Sequence, residues 1–420
     1  MTDIEIEGGR GAHTGLERSG ADGGGPTLSS YYADLHIHIG RTESGAPVKI
    51  SGSRDLTFFN IAKEASGRKG IDITGIIDCQ SPAVQDEIVR YLDRGDMEEL
   101  GGGGIRYGNT TVLLGSELEI KDPGFGPAHL LVFLPTLSAM REFTAWISMY
   151  MKNVGLSSQR VYVTGRALQE ETVGRGGIVI PAHIFTPHKS LYGSCCTRMD
   201  EVLDPDDVAA VELGLSSNTA MADTIPELRR HAFVTNSDAH SLAKIAREYN
   251  ALRLAEPTYE EVVKALKGEG GRGIEANYGL EPQLGKYHRT YCESCDALVD
   301  FAAGATGACP SCGGRKLVRG VFDRIAALAE PDAGERTASP RERPPYRNQV
   351  PLEFVPGLGP KKREALLAAF GTEMNVLHRV PEAELAAIAG VGPAAVIASA
   401  RRGDVAVSSG GGGKYGKIKT

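Results

Sequence analysis

The sequence predicts an α/β protein: a barrel of β/α units, then a small four-cysteine module, then a compact all-α unit. Three observations predict it. Short β-branched runs alternate with helical stretches from residue 31 to about 285, the signature of a mostly parallel sheet covered on both faces. Two CxxC doublets follow, Cys292 with Cys295 and Cys309 with Cys312. A Gly-x-Gly-Pro turn then occurs twice, 33 residues apart.

Composition sets the frame. With 420 residues, 41% hydrophobic and 24% charged, the chain can bury a sizeable core in two or three domains. A net charge of −7 excludes a surface coated in basic patches but leaves room for local ones. No apolar run reaches the roughly 20 residues of a membrane helix. The N-terminus, MTDIEIEGGRGAHTG, lacks the basic and apolar regions of a signal peptide. Four of the seven cysteines stand in doublets, which suits a metal site in a reducing compartment. A cytoplasmic protein with no membrane association is the expectation.

Residues 1–30 are Gly-rich, polar and aperiodic, and read as a disordered segment. Residues 31–285 are expected to form the barrel. Its expected strands include Ile71–Ile77, Thr111–Leu114, Leu130–Leu134, Gly177–Ile180, Val208–Leu213 and Ala232–Thr235. Its expected helices include Thr57–Ser66, Ser81–Arg94, Ser138–Asn153 and Thr224–Arg230. A β/α barrel carries its active site just beyond the strand ends, and the polar residues of this segment cluster there.

His36 and His38 lie two apart, so in a strand they share a face and can grip one metal. Glu117 follows a strand, His129 opens one, and His183 closes another. Asp238 and His240, in Asn236-Ser237-Asp238-Ala239-His240, again place two ligand types on one face. Mixed imidazole and carboxylate ligands suit zinc, manganese or iron. So many ligands imply two or three metals, bridged by Glu117 or Asp238.

The motifs DLHIH, GSELE, PAH and SDAH resemble the ordered ligand motifs of the polymerase-and-histidinol-phosphatase (PHP) superfamily. The resemblance implies a distorted (β/α)7 barrel with a multinuclear site that hydrolyses phosphoesters. It implies His36, His38, Glu117, His129, His183, Asp238 and His240 as ligands. Two positions depart from the pattern. The second motif, usually TDH, reads Ile77-Asp78-Cys79, and Ile39–Gly45 contains no further histidine. Asp78 or Cys79 is the candidate substitute at the third metal position, or the site holds two metals.

ADLHIHIGRT, IPAHIFTPHKSLYG, VELGLSSNTAMAD and TNSDAHSLAKIAREY further resemble the endonuclease Q family, across most of residues 31–255. That implies an endonuclease nicking damaged DNA 5′ to uracil, hypoxanthine or xanthine, and at abasic sites, leaving 3′-hydroxyl and 5′-phosphate ends. Two or three divalent metals (Zn, Mn or Mg) would serve it, with Asp238, Glu117 and His183 central. In the segment His183–Gly193, Lys189 can reach the scissile phosphate and Tyr192 can stack on a displaced base. Asn218 is a candidate for reading a base edge, since an enzyme that inspects a base extrudes it from the stack.

In the module at 286–325, thirteen residues separate the doublets Cys292/Cys295 and Cys309/Cys312. This is the spacing of a closed, structural tetrahedral zinc ribbon. Residues 326–350 are charged and Pro-rich, and read as a linker. The unit at 351–406 repeats Gly357-Leu358-Gly359-Pro360 as Gly390-Val391-Gly392-Pro393. It looks like tandem helix-hairpin-helix motifs, which bind DNA backbone without reading sequence. Gly-x-Gly lets backbone N–H groups approach a phosphate at a helix start, and Lys361, Lys362 and Arg363 add charge to the first copy. Residues 407–420 form a flexible basic tail.

The expected partner is damaged double- or single-stranded DNA. A sliding clamp has no supporting peptide in the sequence. A small-molecule phosphoesterase or a DNA exonuclease would use the same metal site, and the C-terminal modules weigh against the first.

Overall fold

The computed structural model describes residues 26–299, 307–329 and 341–403, with the backbone of 407–408 and 417–418. The segment 1–25 and most of the tail, both expected to be flexible, lie outside the described residues. Strand β1 (Ser29–Ile37) begins two residues before the predicted start, and β2 (Ile73–Ile76) lies parallel to it. A short edge hairpin, β3 (Glu98–Glu99) and β4 (Ile105–Tyr107), leads into β5 (Thr110–Ile120), which is parallel to β2. Strands β6 (Ala128–Leu134) and β7 (Ile178–Pro181) continue antiparallel, each to its predecessor. Strands β8 (Ala210–Glu212) and β9 (Ala232–Val234) pair in parallel.

Two bridges close this sheet on itself. Val179 pairs with Val208 in parallel, joining β7 to the β8 side. Ile37 pairs with Ala239, and the N–H of His38 donates to the Ala239 carbonyl at 3.0 Å, joining β9 back to β1. The result is a distorted seven-stranded barrel of β1, β2 and β5 to β9, in which β6 alone runs against the rest. Strands β10 (Tyr249–Leu254) and β11 (Gly273–Gly279) extend the sheet antiparallel from the first half of β1.

Alternation along the strands makes two cores. Leu113, Leu131, Phe133, Ile180, Ala210 and Val234 fill the barrel interior. Val112, Leu114, Val132, Val179, Val211 and Phe233 face the outer layer. That layer is built from α1 (Phe58–Glu64), α2 (Pro82–Asp93), α3 (Leu137–Ser148), α4 (Gly165–Gly174) and the single turn α5 (Thr219–Ala222). Helix α6 (Tyr259–Lys267) instead plugs the interior with Val262, Ala265 and Leu266. Thr57, Thr136, Thr164 and Thr258 cap four of these helices by accepting from the N3 backbone N–H.

Strands β12 (Thr290–Cys292), β13 (Ala297–Val299) and β14 (Leu317–Val318) make the small cysteine-bearing sheet, followed by α7 (Val321–Leu328). The described part of the segment read as a linker is tied to the barrel. Strand β15 (Tyr346–Asn348) pairs in parallel with β11. Arg343 lies over the Phe233 ring at 3.7 Å and donates to the carbonyls of Leu228 and Arg229 at 3.0 Å. A Pro-rich stretch with no apolar period still carries a strand where the sheet edge supplies its partners. The C-terminal unit is four helices: α8 (Pro360–Phe370), α9 (Glu373–His378), α10 (Glu382–Ala389) and α11 (Val391–Arg402).

Other expectations need adjustment. Strand β5 runs through Gly115 to Ile120, so Glu117 sits within a strand. The predicted helix Thr224–Arg230 is only a tight turn over Pro226–Leu228, because Ile225, the residue before a proline, is held in extended backbone. No helix among the described residues is long and apolar enough to cross a membrane.

Candidate active site and metal centre

The barrel mouth gathers the predicted ligands through inward-facing strand positions. Glu117 follows Leu113 in the inward register of β5, and His129 precedes Leu131 in that of β6. On β1 the inward parity changes at a β-bulge between Asp34 and Ile37, where three residues of β1 span two of β2. Bulges re-aim side chains in this way. Leu35 therefore packs in the inner core and Ile37 in the outer one, and His36 and His38 turn to the mouth.

Backbone strain concentrates here. Ser158, His183, Lys189 and Asp238 all adopt positive φ, between 32° and 53°. Such conformations cost about 1–3 kcal/mol each in non-glycine residues and persist where surrounding structure enforces them. Asp238, for example, follows Ser237, whose N–H is fixed at 3.0 Å by the buried carboxylate of Asp34.

Three sets of ligand atoms converge: His36, His38 and Glu117; His38, Asp238 and His240; Glu117, His129 and His183. His36 Nε2 lies 3.4 Å from Asp238 Oδ1 and 3.6 Å from Glu117 Oε1. His38 Nε2 lies 3.6 Å from each of those carboxylates. Ligands on a tetrahedral ion at about 2.1 Å are about 3.4 Å apart, so these edges fit a metal. Among the described residues the buried Nε2 of His36 has no hydrogen-bond partner, as a ligand nitrogen would not, and His129 faces Glu117 Oε1 through Nδ1 at 2.9 Å. The donor set therefore fits divalent metals.

The other ring nitrogen of three histidines is held from behind. His36 Nδ1 meets Glu212 Oε1 at 2.9 Å, His38 Nδ1 meets Asp78 Oδ2 at 3.1 Å, and His183 Nδ1 meets Thr186 Oγ1 at 2.8 Å. Such partners fix the tautomer and aim Nε2 at the metal. Burial opposes charge on His36, but Glu212 and Asp238 override it and raise its pKa to about 10. Burial and the Lys49 ammonium push His38 down to about 4. Despite burial, His129 and Lys49 hold the Glu117 carboxyl well below the usual carboxylate range.

Several predicted roles change. Asp78 stands behind His38, outside the three ligand sets, with Oδ2 bonded to His38 Nδ1 and the N–H of Ile39. Cys79 points into the core and donates to the Ile76 carbonyl, and burial raises its thiol pKa. Tyr192 is fully buried, its ring against Phe185 and its hydroxyl bonded to Glu227, so no base can stack on it. Asn218 spends its side-chain oxygen capping α5 at Met221 N, 2.9 Å away. Lys189 is exposed and pairs with Glu119 at 2.8 Å, two residues along β5 from Glu117.

Sequence reasoning missed Glu212, Lys49 and Ser158. Glu212 closes β8 as Asp238 follows β9, a strand-end carboxylate that the same reasoning should have found. Lys49 and Ser158 come from irregular loops and carried no periodic signal.

The four cysteines form a second cluster. Cys292 and Cys312 sulfurs are 3.7 Å apart, as are those of Cys295 and Cys309. Thiolates on an ion at about 2.3 Å sit about 3.8 Å apart, so the set fits a closed tetrahedral site. In the C-terminal unit, Gly357 and Gly390 adopt positive φ of 77° and 90°. Helix α8 starts at Pro360 after Gly359, whereas α11 starts earlier, so Gly392 lies inside its first turn. Lys361 is exposed, but Lys362 donates to the Ala389 carbonyl at 2.7 Å and links the two hairpins.

A distorted β/α barrel with clustered imidazoles and carboxylates at its mouth defines a metal-dependent phosphoesterase of the PHP type. No family model matches the chain. It is 50% identical over 394 residues to the uncharacterized protein YqxK of Bacillus subtilis, covering 93% of this chain and all of that one. It superposes on the lesion-specific endonuclease PfuEndoQ of Pyrococcus furiosus with TM-score 0.79 and 31% identity, covering 93% and 95% of the two chains. An endonuclease Q complex with a 27-mer duplex substrate bearing an abasic lesion at the active site matches with TM-score 0.79 and 32% identity, over 93% and 96%. The chain belongs to the endonuclease Q family, and is a metal-dependent, DNA-binding endonuclease.

Proposed function

We propose that this endonuclease hydrolyses the phosphodiester 5′ to deaminated bases (uracil, hypoxanthine and xanthine) and at abasic sites, leaving a 3′-hydroxyl and a 5′-phosphate. The carrying observation is the ligand cluster, in a chain that matches, over almost its full length, a structure holding an abasic lesion at its active site.

In this reading His36, His38, Glu117, His129, His183, Asp238 and His240 hold two or three metals, and the four cysteines hold one structural zinc. Bound divalent metals supply Lewis acidity, lowering the pKa of water and offsetting charge on the phosphoryl oxygens. The chain's own residues prepare that chemistry. Glu212, Asp78 and Thr186 aim three imidazoles, and Glu117 lies between two sets, its Oε1 3.6 Å from His36 and 3.4 Å from His183. Lys189, exposed beside Glu119, meets backbone phosphate in this reading. Gly357, Gly359, Lys361, Arg363, Gly390 and Gly392 bind backbone phosphates through helix starts and positive charge, which positions DNA without reading its sequence.

A nicking assay with Mg²⁺ or Mn²⁺ tests this. The substrates are labelled duplexes with one uracil, hypoxanthine or abasic site, beside undamaged DNA. Cleavage on the 5′ side of lesions, lost in Asp238→Ala, is expected. Intact lesion DNA alongside hydrolysis of a simple phosphomonoester would overturn the proposal in favour of a small-molecule phosphoesterase.

A further inference from the structure

Lys49 reaches into the ligand cluster from a loop outside the barrel strands. Its Nζ lies 3.1 Å from His38 Nε2, 3.4 Å from Glu117 Oε2 and 2.6 Å from Ser158 Oγ. The side chain is only 15% exposed. The loop that carries it is fixed. The Lys49 N–H donates to Ile39 at 2.9 Å, Val48 N–H to Gly40 at 3.0 Å, and Ser53 N–H to His240 at 2.9 Å. Gly40 permits this approach, because a Cβ there would lie 2.0 Å from the Ser53 carbonyl oxygen. Ser158, which anchors the ammonium, is one of the strained positive-φ residues and also bonds Glu117.

The ligand sets limit how many metals can share this space. His38 offers only Nε2, since Nδ1 is 3.1 Å from both Asp78 and Ser157. One imidazole nitrogen has one lone pair and serves one cation. The sets His36–His38–Glu117 and His38–Asp238–His240 therefore cannot both be filled through His38. Two ions can be fully served, one in the His38 group and one at Glu117, His129 and His183.

Resting on the endonuclease reading, we propose that Lys49 is a built-in cation of the centre. It holds the His38 lone pair in the metal-free protein and yields it to an incoming metal. It then remains on Ser158 and Glu117 as a third positive charge facing the DNA phosphate, in place of a third ion.

The role predicts opposite signs for two readouts. Lys49→Met removes a competitor for His38, so metal affinity rises, while nicking falls with the lost charge. Purified full-length protein, retaining its four-cysteine metal and without DNA, is titrated with Mn²⁺, and free Mn²⁺ is read by electron paramagnetic resonance. Wild type is expected to bind two Mn²⁺ at the centre. Lys49→Met should bind them roughly tenfold more tightly, from removal of a like charge within about 4 Å. At saturating Mn²⁺ its single-turnover nicking should fall about 100-fold, as for loss of one charge-stabilising donor. Lys49→Arg should keep the metal count and restore part of the rate. Weaker or unchanged Mn²⁺ binding in Lys49→Met, a third tightly bound Mn²⁺ in wild type, or undiminished nicking would each overturn the proposal. If Lys49→Met does not fold, Lys49→Gln is read by the same criteria. Should wild type fail to nick lesion DNA, the functional reading fails while the Mn²⁺ titration still decides the placement of Lys49.

Discussion

Glu212 accepts from His36 Nδ1 at 2.9 Å, and this contact decides which nitrogen of His36 faces the ligand cluster. The same carboxylate accepts from the N–H of His183 at 2.7 Å and from Asn236 Nδ2 at 2.8 Å. One fully buried side chain thus orients one predicted ligand, fixes the strained backbone of a second, and ties the ends of β8 and β9 together.

Glu212→Gln should expose that dependence. An amide has one oxygen for three donors, and its NH₂ faces another donor. Metal affinity at the centre is expected to fall about 10- to 100-fold, the usual consequence of losing such a partner. The unpaired buried donors should cost about 1–3 kcal/mol of stability. Metal titration and thermal melting measure the two effects. Wild-type metal affinity in Glu212→Gln would refute the role.

Acid should weaken the seat of the C-terminal helices on the barrel. His378 of α9 stacks on Tyr32 at 4.9 Å, meets Tyr278 edge-on, and bonds the Tyr249 hydroxyl through Nε2 at 2.6 Å. Burial, then Arg401, Arg347 and Arg379, depress its pKa to about 4. An unfolded histidine titrates near about 6.5. Between those values the unfolded chain binds more protons, so stability is lost as pH falls through that window and is fully present above it. The limit is about 3 kcal/mol for a shift of this size. Denaturant unfolding at pH 7 and pH 5 should show the loss in wild type and a smaller one in His378→Phe. Equal losses would assign the acid sensitivity elsewhere.

How much of this was legible in the sequence follows from where each signal resides. The β/α alternation and strand-end ligands are periodic or motif-like, so the barrel and the positions of His36, His38, Glu117 and Asp238 were readable. Lys49 and Ser158 were not, because a cation's meaning depends on which loop folds over the mouth. Tyr192 and Asn218 failed for the opposite reason. Both lie in segments near the site, but local geometry consumed them, one in the core and the other in a helix cap. The strand at Tyr346–Asn348 has no alternation of its own and forms because β11 offers an edge.

The cysteine module should depend on its metal for structure. Among the described residues its buried core is Cys292, Val299 and Cys309 with Leu317 packed against it, too little to offset the entropy of ordering three short strands. Cys295→Ser is expected to release one bound metal per chain and to expose β12 to β14 to hydrogen exchange. The barrel, with its own cores, should keep its melting transition. Retained protection in a variant shown to have lost that metal would contradict this.

Adjacent lysines at the start of α8 should behave differently. Lys361 is exposed and free to meet a phosphate, whereas the Lys362 ammonium is 2.7 Å from the Ala389 carbonyl at the end of α10. Each phosphate contact contributes about one unit to the dependence of log affinity on log salt. Lys361→Ala should therefore weaken DNA binding irrespective of sequence and reduce that slope by about one, with no change in melting. Lys362→Ala should instead lower stability by about 1 kcal/mol, the worth of one hydrogen bond. Its salt slope should stay near wild type, because the hairpin link and not a phosphate contact is lost. Binding isotherms between low and moderate salt, with melting of both variants, separate the roles. A reduced slope with unchanged melting in Lys362→Ala would mean that the lysine leaves Ala389 for the DNA.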